Sequence, residues 1–188
     1  MQKIKLQFTN SFKELKNLKS LTITAMLIAL GFVLGFFTIQ PTSSLKIGFG
    51  FLPNALAGFF FGPVVGAIMG GIGDIVGYIA KPTGPFFLPF TFNAMLGPLL
   101  YGIFLYQRPL RLRNVILAKL SVTLIVNLIL NTYFISLLQG KAFLVLLPAR
   151  ALKQVLMFPI ETFLLFALLK GLSVTPLSKY FHSTTVSE

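Results

Sequence analysis

Apolar residues run through this chain in long blocks, not in the three- and four-residue stripes of a soluble amphipathic helix. The blocks are Leu21–Ile39, Phe49–Phe61, Val64–Ala80, Thr91–Tyr106, Val115–Leu138 and Ala149–Lys170. Crossing a hydrocarbon core takes roughly 20 helical residues. Several blocks fall short of that, and the second is expected to start earlier, inside the loop before it. Gly62-Pro63 divides the second block from the third, a pair that interrupts regular structure. The first block is too long for a signal-peptide core and no small-residue cleavage pattern follows it, so it reads as a retained first span. The pattern predicts an all-α membrane protein, a six-transmembrane-helix bundle.

Charge then orients the bundle. Residues 1–19 carry Lys3, Lys5, Lys13, Lys16 and Lys19 with one acid, Glu14, while Phe8, Phe12, Leu15 and Leu18 recur at helical spacing. That is a basic amphipathic segment suited to an anionic membrane face. With the N-terminus inside, the cytoplasmic side also holds Arg108, Arg111, Arg113, Lys170 and Lys179, and the outer loops hold Lys46, Lys81 and Lys141. Ten basic residues against three follow the positive-inside rule, so both termini are expected in the cytoplasm of a multi-pass cell-membrane protein. The organisation is a leader at 1–19, a membrane domain at 20–172 and a cytoplasmic tail at 173–188.

Composition narrows the function. The chain has 188 residues, 55% hydrophobic and 11% charged, against about 25% charged in soluble domains. Too little polar surface remains to cover a globule, which excludes a soluble enzyme and a nucleic-acid-binding domain despite the net charge of +12. The lipid bilayer is the implied partner. Cysteine is absent and the single histidine, His182, lies in the polar tail, so no metal or cofactor site and no cysteine nucleophile is expected. No GxxxxGK[ST] run is present for ATP hydrolysis, and no paired carboxylates stand at helical spacing. GIGDIVG around Asp74 lacks the preceding strand of a dinucleotide site.

Ionisable and amide groups inside the spans need a reason, because they are costly in lipid. At about 1.5 Å per residue, Asp74, Asn93, Asn131, Arg150 and Lys153 all fall in the outer half of the bundle. Arg150, Gln154, Met157 and Glu161 form one stripe on the sixth span, and Thr123, Asn127 and Asn131 another on the fifth. These stripes read either as an outward-facing cavity for a polar, anionic small molecule or as interhelical hydrogen bonds with snorkelling cations. Glu161 and Lys119 fit a structural ion pair, with a proton or coupling-ion site as the alternative. Gly62, Gly66, Gly70, Gly73 and Gly77 suit close helix packing within the bundle or against a partner. Ala25 and Ala29, one turn apart, present the same choice. The outer loops PTSSLKIGFG (41–50) and KPTGPFFLP (81–89) mix proline, glycine and aromatics. Phe86 and Phe87 either stack on a flat ring or anchor a rigid turn.

The stretch GFLPNALAGFFFGPVVGAIMGGIGDIVGYIAKPTGPF (50–86) resembles the signature region of the vitamin-binding S components of energy-coupling factor (ECF) transporters. NTYFISLLQGK (131–141) and LLPARALKQ (146–154) resemble the folate-specific members, while FLPFT (87–91) departs from a Pro-Gly-Phe-Thr pattern. The resemblance implies a six-helix subunit that binds folate from outside, associates with a shared ECF membrane subunit and two ECF ATPases, and is not itself an enzyme. It assigns Ala25 and Ala29 to the contact with the shared subunit, and a gating role to the first outer loop around Lys46. Chemically, Asp74 and Asn93 suit the donor edge of the pterin, Phe86 its face, and Arg150 and Lys153 the dicarboxylate tail; Asn131 and Gln154 share their depth and stripes. The competing readings are an S component for another vitamin, a small integral membrane enzyme and a stand-alone facilitator. Thiamine, a cation, is disfavoured by the Arg150/Lys153 pair.

Overall fold

A computed structural model describes residues 2–37, 39–42, 45–81, 86–140 and 142–174. Among the positions singled out above, residues 82–85 of the KPTGP motif, Lys141, and the tail from 175 with Lys179 and His182 lie outside the described residues, as does the side chain of Lys46.

The body is helical. α1 (Gln2–Glu14) is followed by α2 (Leu18–Phe36), whose N-cap Asn17 accepts a hydrogen bond from the Lys19 N–H. α3 (Phe51–Ala80), α4 (Leu88–Leu105), α5 (Leu112–Ser121), a π-helical segment (Val122–Leu130), α6 (Asn131–Gln139) and α7 (Phe143–Val174) complete it. Among the described residues, five stretches are long and apolar enough to cross a membrane: Leu18–Phe36, Phe51–Ala80, Leu88–Leu105, Leu112–Leu138 and Phe143–Ser173. α2, the first of these stretches, ends at Phe36, three residues before the block read from the sequence. The chain then forms a short antiparallel hairpin, β1 (Ile39–Thr42) with β2 (Leu45–Ile47), where the sequence suggested only a loop.

α3 is not one straight helix. Gly62 sits at φ 85° and ψ −173°, a conformation open to glycine, and Pro63 follows without an N–H to continue the ladder. The neighbours show what this bend does. Gly58 and Gly66 lie four residues either side of Gly62, yet both approach Pro98 of α4. The chain therefore doubles back at Gly62, and residues 51–61 and 63–80 both lie against α4. A Cβ at Gly58 would stand 2.6 Å from the Pro98 carbonyl oxygen, and one at Gly102 would stand 2.5 Å from the Pro63 nitrogen. Gly70 meets the Ala94 carbonyl just as closely. The α3–α4 pair is accordingly the most extensive contact in the fold. In lipid, such backbone approach is what favours helix association.

The turn at Gly62 leaves backbone groups that α1 satisfies. Ser11, fully buried, donates to the Phe61 carbonyl (2.6 Å) and accepts from the N–H groups of Val64 (3.0 Å) and Val65 (3.2 Å). It acts as an N-cap supplied from another helix. Gln7 donates to the Tyr106 carbonyl (2.5 Å), and Asn10 to Gln107 (3.4 Å). α1 thus docks through polar side chains, while Ile4, Leu6 and Phe12 face outward. Replacing Ser11 by Ala orphans two N–H groups in a buried turn. We expect a loss of about 1–3 kcal/mol, read as a lower midpoint of thermal unfolding in detergent. An unchanged midpoint would show that the turn does not need this cap.

Candidate functional site

Past Gly70 the glycine contacts open out. Cβ atoms at Gly73 and Gly77 of α3 and at Gly97 of α4 would meet nothing within 4 Å, and these three glycines line a cavity of 640 Å³. The volume lies within the roughly 300–1,000 Å³ of small-molecule sites. Its walls come from α3, α4, the α5–π–α6 helix, and Lys81, Phe86 and Phe87 beside the loop. A second hollow of 450 Å³ adjoins it, sharing Asn54, Gly73, Asp74, Gly77, Lys81 and Ala94, and reaches the apolar face of α2 at Leu27, Ile28 and Phe32.

Polar groups sit at defined points in the main cavity. The Thr91 hydroxyl donates to one Asp74 carboxylate oxygen at 2.7 Å and so fixes its orientation. Asn93 is buried with its side-chain carbonyl oxygen unpartnered, and Tyr101 is buried with its hydroxyl unpartnered. Both line the cavity. Buried polar atoms are normally paired, so these two are suited to a ligand. Asn54, Asn127 and Asn131 add amides. Four aromatic rings lie on the same wall. Tyr78 and Phe86 meet edge to face with centroids 5.1 Å apart, and Phe87 and Phe90 do so at 5.4 Å. Such a cluster offers apolar faces to a flat ring system.

Lys119 lies deeper. It is 1% exposed, its ammonium stands 2.6 Å from a Glu161 carboxylate oxygen, and the Phe51 ring centroid lies 4.3 Å away. The ion-pair reading of Lys119 and Glu161 is thus the observed one. Charges this buried need a partner, and α5 and α7 each supply one.

Of the sequence-derived candidates, Asp74, Asn93, Asn131 and Phe86 come together around the cavity. Arg150, Lys153 and Gln154 are not among its lining residues. Their stripe does turn toward the bundle, with Met157 and Leu165 buried and Leu152, Val155 and Leu156 exposed. Ala25 and Ala29 are exposed, whereas Thr24 and Leu27 of the same helix are buried. Internal packing therefore does not account for the two alanines. Sequence reasoning missed Asn54, Lys81 and Tyr101 as wall residues. The polarity of Lys81 and Asn54 was a usable signal; a tyrosine inside an apolar block was not. The helical spacing put Thr123 on one stripe with Asn127 and Asn131. The fifth helix is π-helical there, with the Asn131 N–H bonding to Val126. Hydrogen bonds five residues back instead of four rotate the face, so Val122 and Val126 join Asn127 and Asn131 while Thr123 turns into the protein.

The family model described as "ECF transporter, substrate-specific component" matches residues 19–177. The folate transporter FolT of Clostridium novyi (strain NT) is 36% identical over 152 residues, which is 81% of this chain and 88% of the relative. The folate transporter FolT of Leuconostoc mesenteroides is 29% identical over 171 residues, 88% of this chain and 92% of the relative. Among solved structures, a crystal structure of FolT bound with folic acid superposes with a TM-score of 0.74 at 35% identity, covering 81% of this chain and 93% of the other.

The Lys119–Glu161 pair makes a prediction that does not depend on the ligand. Lys119→Met or Glu161→Met alone leaves a buried charge without its partner and is expected to cost about 3–5 kcal/mol. The double replacement removes both charges and should be clearly less harmful than either single one. Thermal unfolding of the three variants in one detergent checks this. Single and double changes that simply add would mean that the two groups do not depend on each other.

Proposed function

Because the chain belongs to the family of substrate-specific components of ECF transporters, we propose that it captures folate in the 640 Å³ cavity. As a member of that family it is a multi-pass membrane transport subunit, not an enzyme. Similarity to two FolT relatives and to a FolT structure containing folic acid carries the choice of folate over another vitamin. The cavity's chemistry supports it. Folate has a flat pterin with ring and amino N–H donors on one edge, an aromatic linker and a dicarboxylate tail. The oriented Asp74 carboxylate and the unpartnered Asn93 oxygen supply acceptors for that edge. Phe86 and its aromatic neighbours supply faces for the rings, and Asn131 supplies a further amide.

In this reading the tail points to the mouth, where cations are available. Lys81 lines the cavity beside the aromatics. Arg150 and Lys153, with Gln154 on the same helix, act from the rim. The subunit crosses the membrane six times with both termini cytoplasmic. The reversal at Gly62 supports six crossings by dividing α3 in two, and the skew of basic residues supports the orientation. The shared ECF membrane subunit and two ECF ATPases, which the family implies, supply energy. The exposed Ala25 and Ala29 meet that membrane subunit, since small residues one turn apart admit close helix approach.

Ligand identity and polarity can be tested together. Titration of the purified subunit should give tight binding of folate and none of thiamine or riboflavin; equal binding of thiamine rejects the assignment. Lys81→Ala and Arg150→Ala should each weaken folate about ten- to a hundredfold, the scale of a charge-assisted contact of roughly 1.5–3 kcal/mol. Pteroate, which lacks the tail, should be nearly indifferent to both. A variant that weakens folate and pteroate alike places its cation elsewhere.

The coupling surface has a separate readout. Ala25→Trp or Ala29→Trp should leave folate binding by the isolated subunit intact and abolish uptake by the assembled transporter. Loss of binding in the isolated subunit would instead assign these alanines to the fold.

A further inference from the structure

The sequence carries two separate basic clusters, and the structure joins them. Gln7 donates to the Tyr106 carbonyl and Asn10 to the Gln107 side chain. α1 therefore lies against the start of the loop that carries Arg108, Arg111 and Arg113. The leader contributes Lys3, Lys5, Lys13, Lys16 and Lys19, all exposed, as are Arg111 and Arg113. The only acid in these two segments is Glu14, and its carboxylate already accepts the Ser20 hydroxyl. Eight cations against one engaged acid form a single basic surface, where nothing within the described residues neutralises them.

Two further features indicate what that surface takes. Five of the eight cations stand at the wrong ends of helices, while Lys13 lies in the last turn of α1. Lys3 and Lys5 fall in the first turn of α1, Lys19 at the start of α2, and Arg111 is the N-cap of α5 with Arg113 just inside. None of these first turns contains an acid. A helix start favours negative charge and repels positive charge, so each arrangement is unfavourable alone. It becomes favourable when an anion sits between the cations and the helix start. The outward side of α1 also carries Ile4, Leu6 and Phe12, each more than 40% exposed. Cations interleaved with apolar side chains are the composition of a surface lying at the headgroup level of a bilayer.

We propose that α1 and the α4–α5 loop together form a binding surface for the phosphate headgroups of anionic phospholipids. It rests on the membrane reading of the chain and not on its ligand. Held there, α1 keeps Ser11 seated in the Gly62 turn, so bound lipid stabilises the reversal between the two halves of α3.

The test uses the full-length protein in detergent micelles doped with equal amounts of phosphatidylglycerol and phosphatidylcholine, with retained lipid counted by native mass spectrometry. We expect the native protein to retain phosphatidylglycerol over phosphatidylcholine by at least about tenfold, given the weight of each cation near anionic lipid. Lys5→Gln, Lys13→Gln, Arg108→Gln and Arg111→Gln combined should bring the ratio close to one. Should that variant fold poorly, raising salt to 0.5 M on the native protein should reduce the same ratio, because exposed pairs are screened. Equal retention of the two lipids by the native protein overturns the proposal. So does a preference that survives both the substitutions and the salt. Capture of an acidic peptide with no preference among lipids would likewise overturn it, assigning the surface to a protein partner. Folate titration of the same samples separates this outcome from a failure of the ligand assignment.

Discussion

The backbone-on-backbone seam between α3 and α4 is the contact on which the rest of the structure depends. A membrane interior gives helices no hydrophobic reason to prefer each other over lipid, so dispersion at close range must hold them. Gly58, Gly66 and Gly70 bring α3 against Pro98 and Ala94, and Gly102 returns the favour at Pro63. Pro98 helps from the other side, since a rigid ring lies on the surface that the glycines meet. The reversal at Gly62 belongs to the same device. It lets two halves of one segment use one partner helix, and it creates the exposed backbone groups that Ser11 then satisfies.

The cavity is the continuation of that seam by other means. The glycine series runs on to Gly73 and Gly77, but there the facing helix has drawn away and the missing side chains leave volume instead of contact. One residue type thus closes the bundle at one level and opens it at the next. The open level is polar at a cost. Asn93 and Tyr101 keep unpartnered atoms in a buried place, and such atoms lower stability until something pairs with them. Lys119 and Glu161 avoid that cost by pairing with each other, which leaves them structural while Asp74 and Asn93 remain available.

Much of this was legible in the sequence because lipid imposes simple rules. Block lengths anticipated the apolar helices, with end errors such as those at Phe36 and Phe143. Gly62-Pro63 marked the break because proline cannot extend the ladder. The common depth of Asp74, Asn93 and Asn131 anticipated their meeting at one cavity. What stayed illegible depends on geometry that no spacing encodes. The π segment shifts the fifth helix by a fraction of a turn, replacing Thr123 with valines on the wall. Arg150 shares the depth of the others, yet it is not among the residues that line the cavity. The amphipathic pattern of the leader pointed to the membrane face and not to a contact with the bundle; α1 docks through Gln7, Asn10 and Ser11, because the Gly62 turn and the end of α4 present polar groups that polar side chains satisfy.

Small residues therefore do two unlike things in this chain, and burial is what separates them. Gly58, Gly66 and Gly70 of α3 are spent inside, where any side chain would collide with α4 backbone. Ala25 and Ala29 of α2 lie outside, where a larger residue would meet no clash within the subunit. Lipid alone does not require alanine there, since leucine is as soluble in hydrocarbon and occupies the neighbouring exposed positions Leu21 and Leu30. A small face kept on the outer side of a helix that borders the ligand-side hollow is suited to a second protein surface approaching closely. α2 residues Leu27, Ile28 and Phe32 share that hollow with Asp74, so the exposed alanine face and the polar wall are separated by the thickness of one helix.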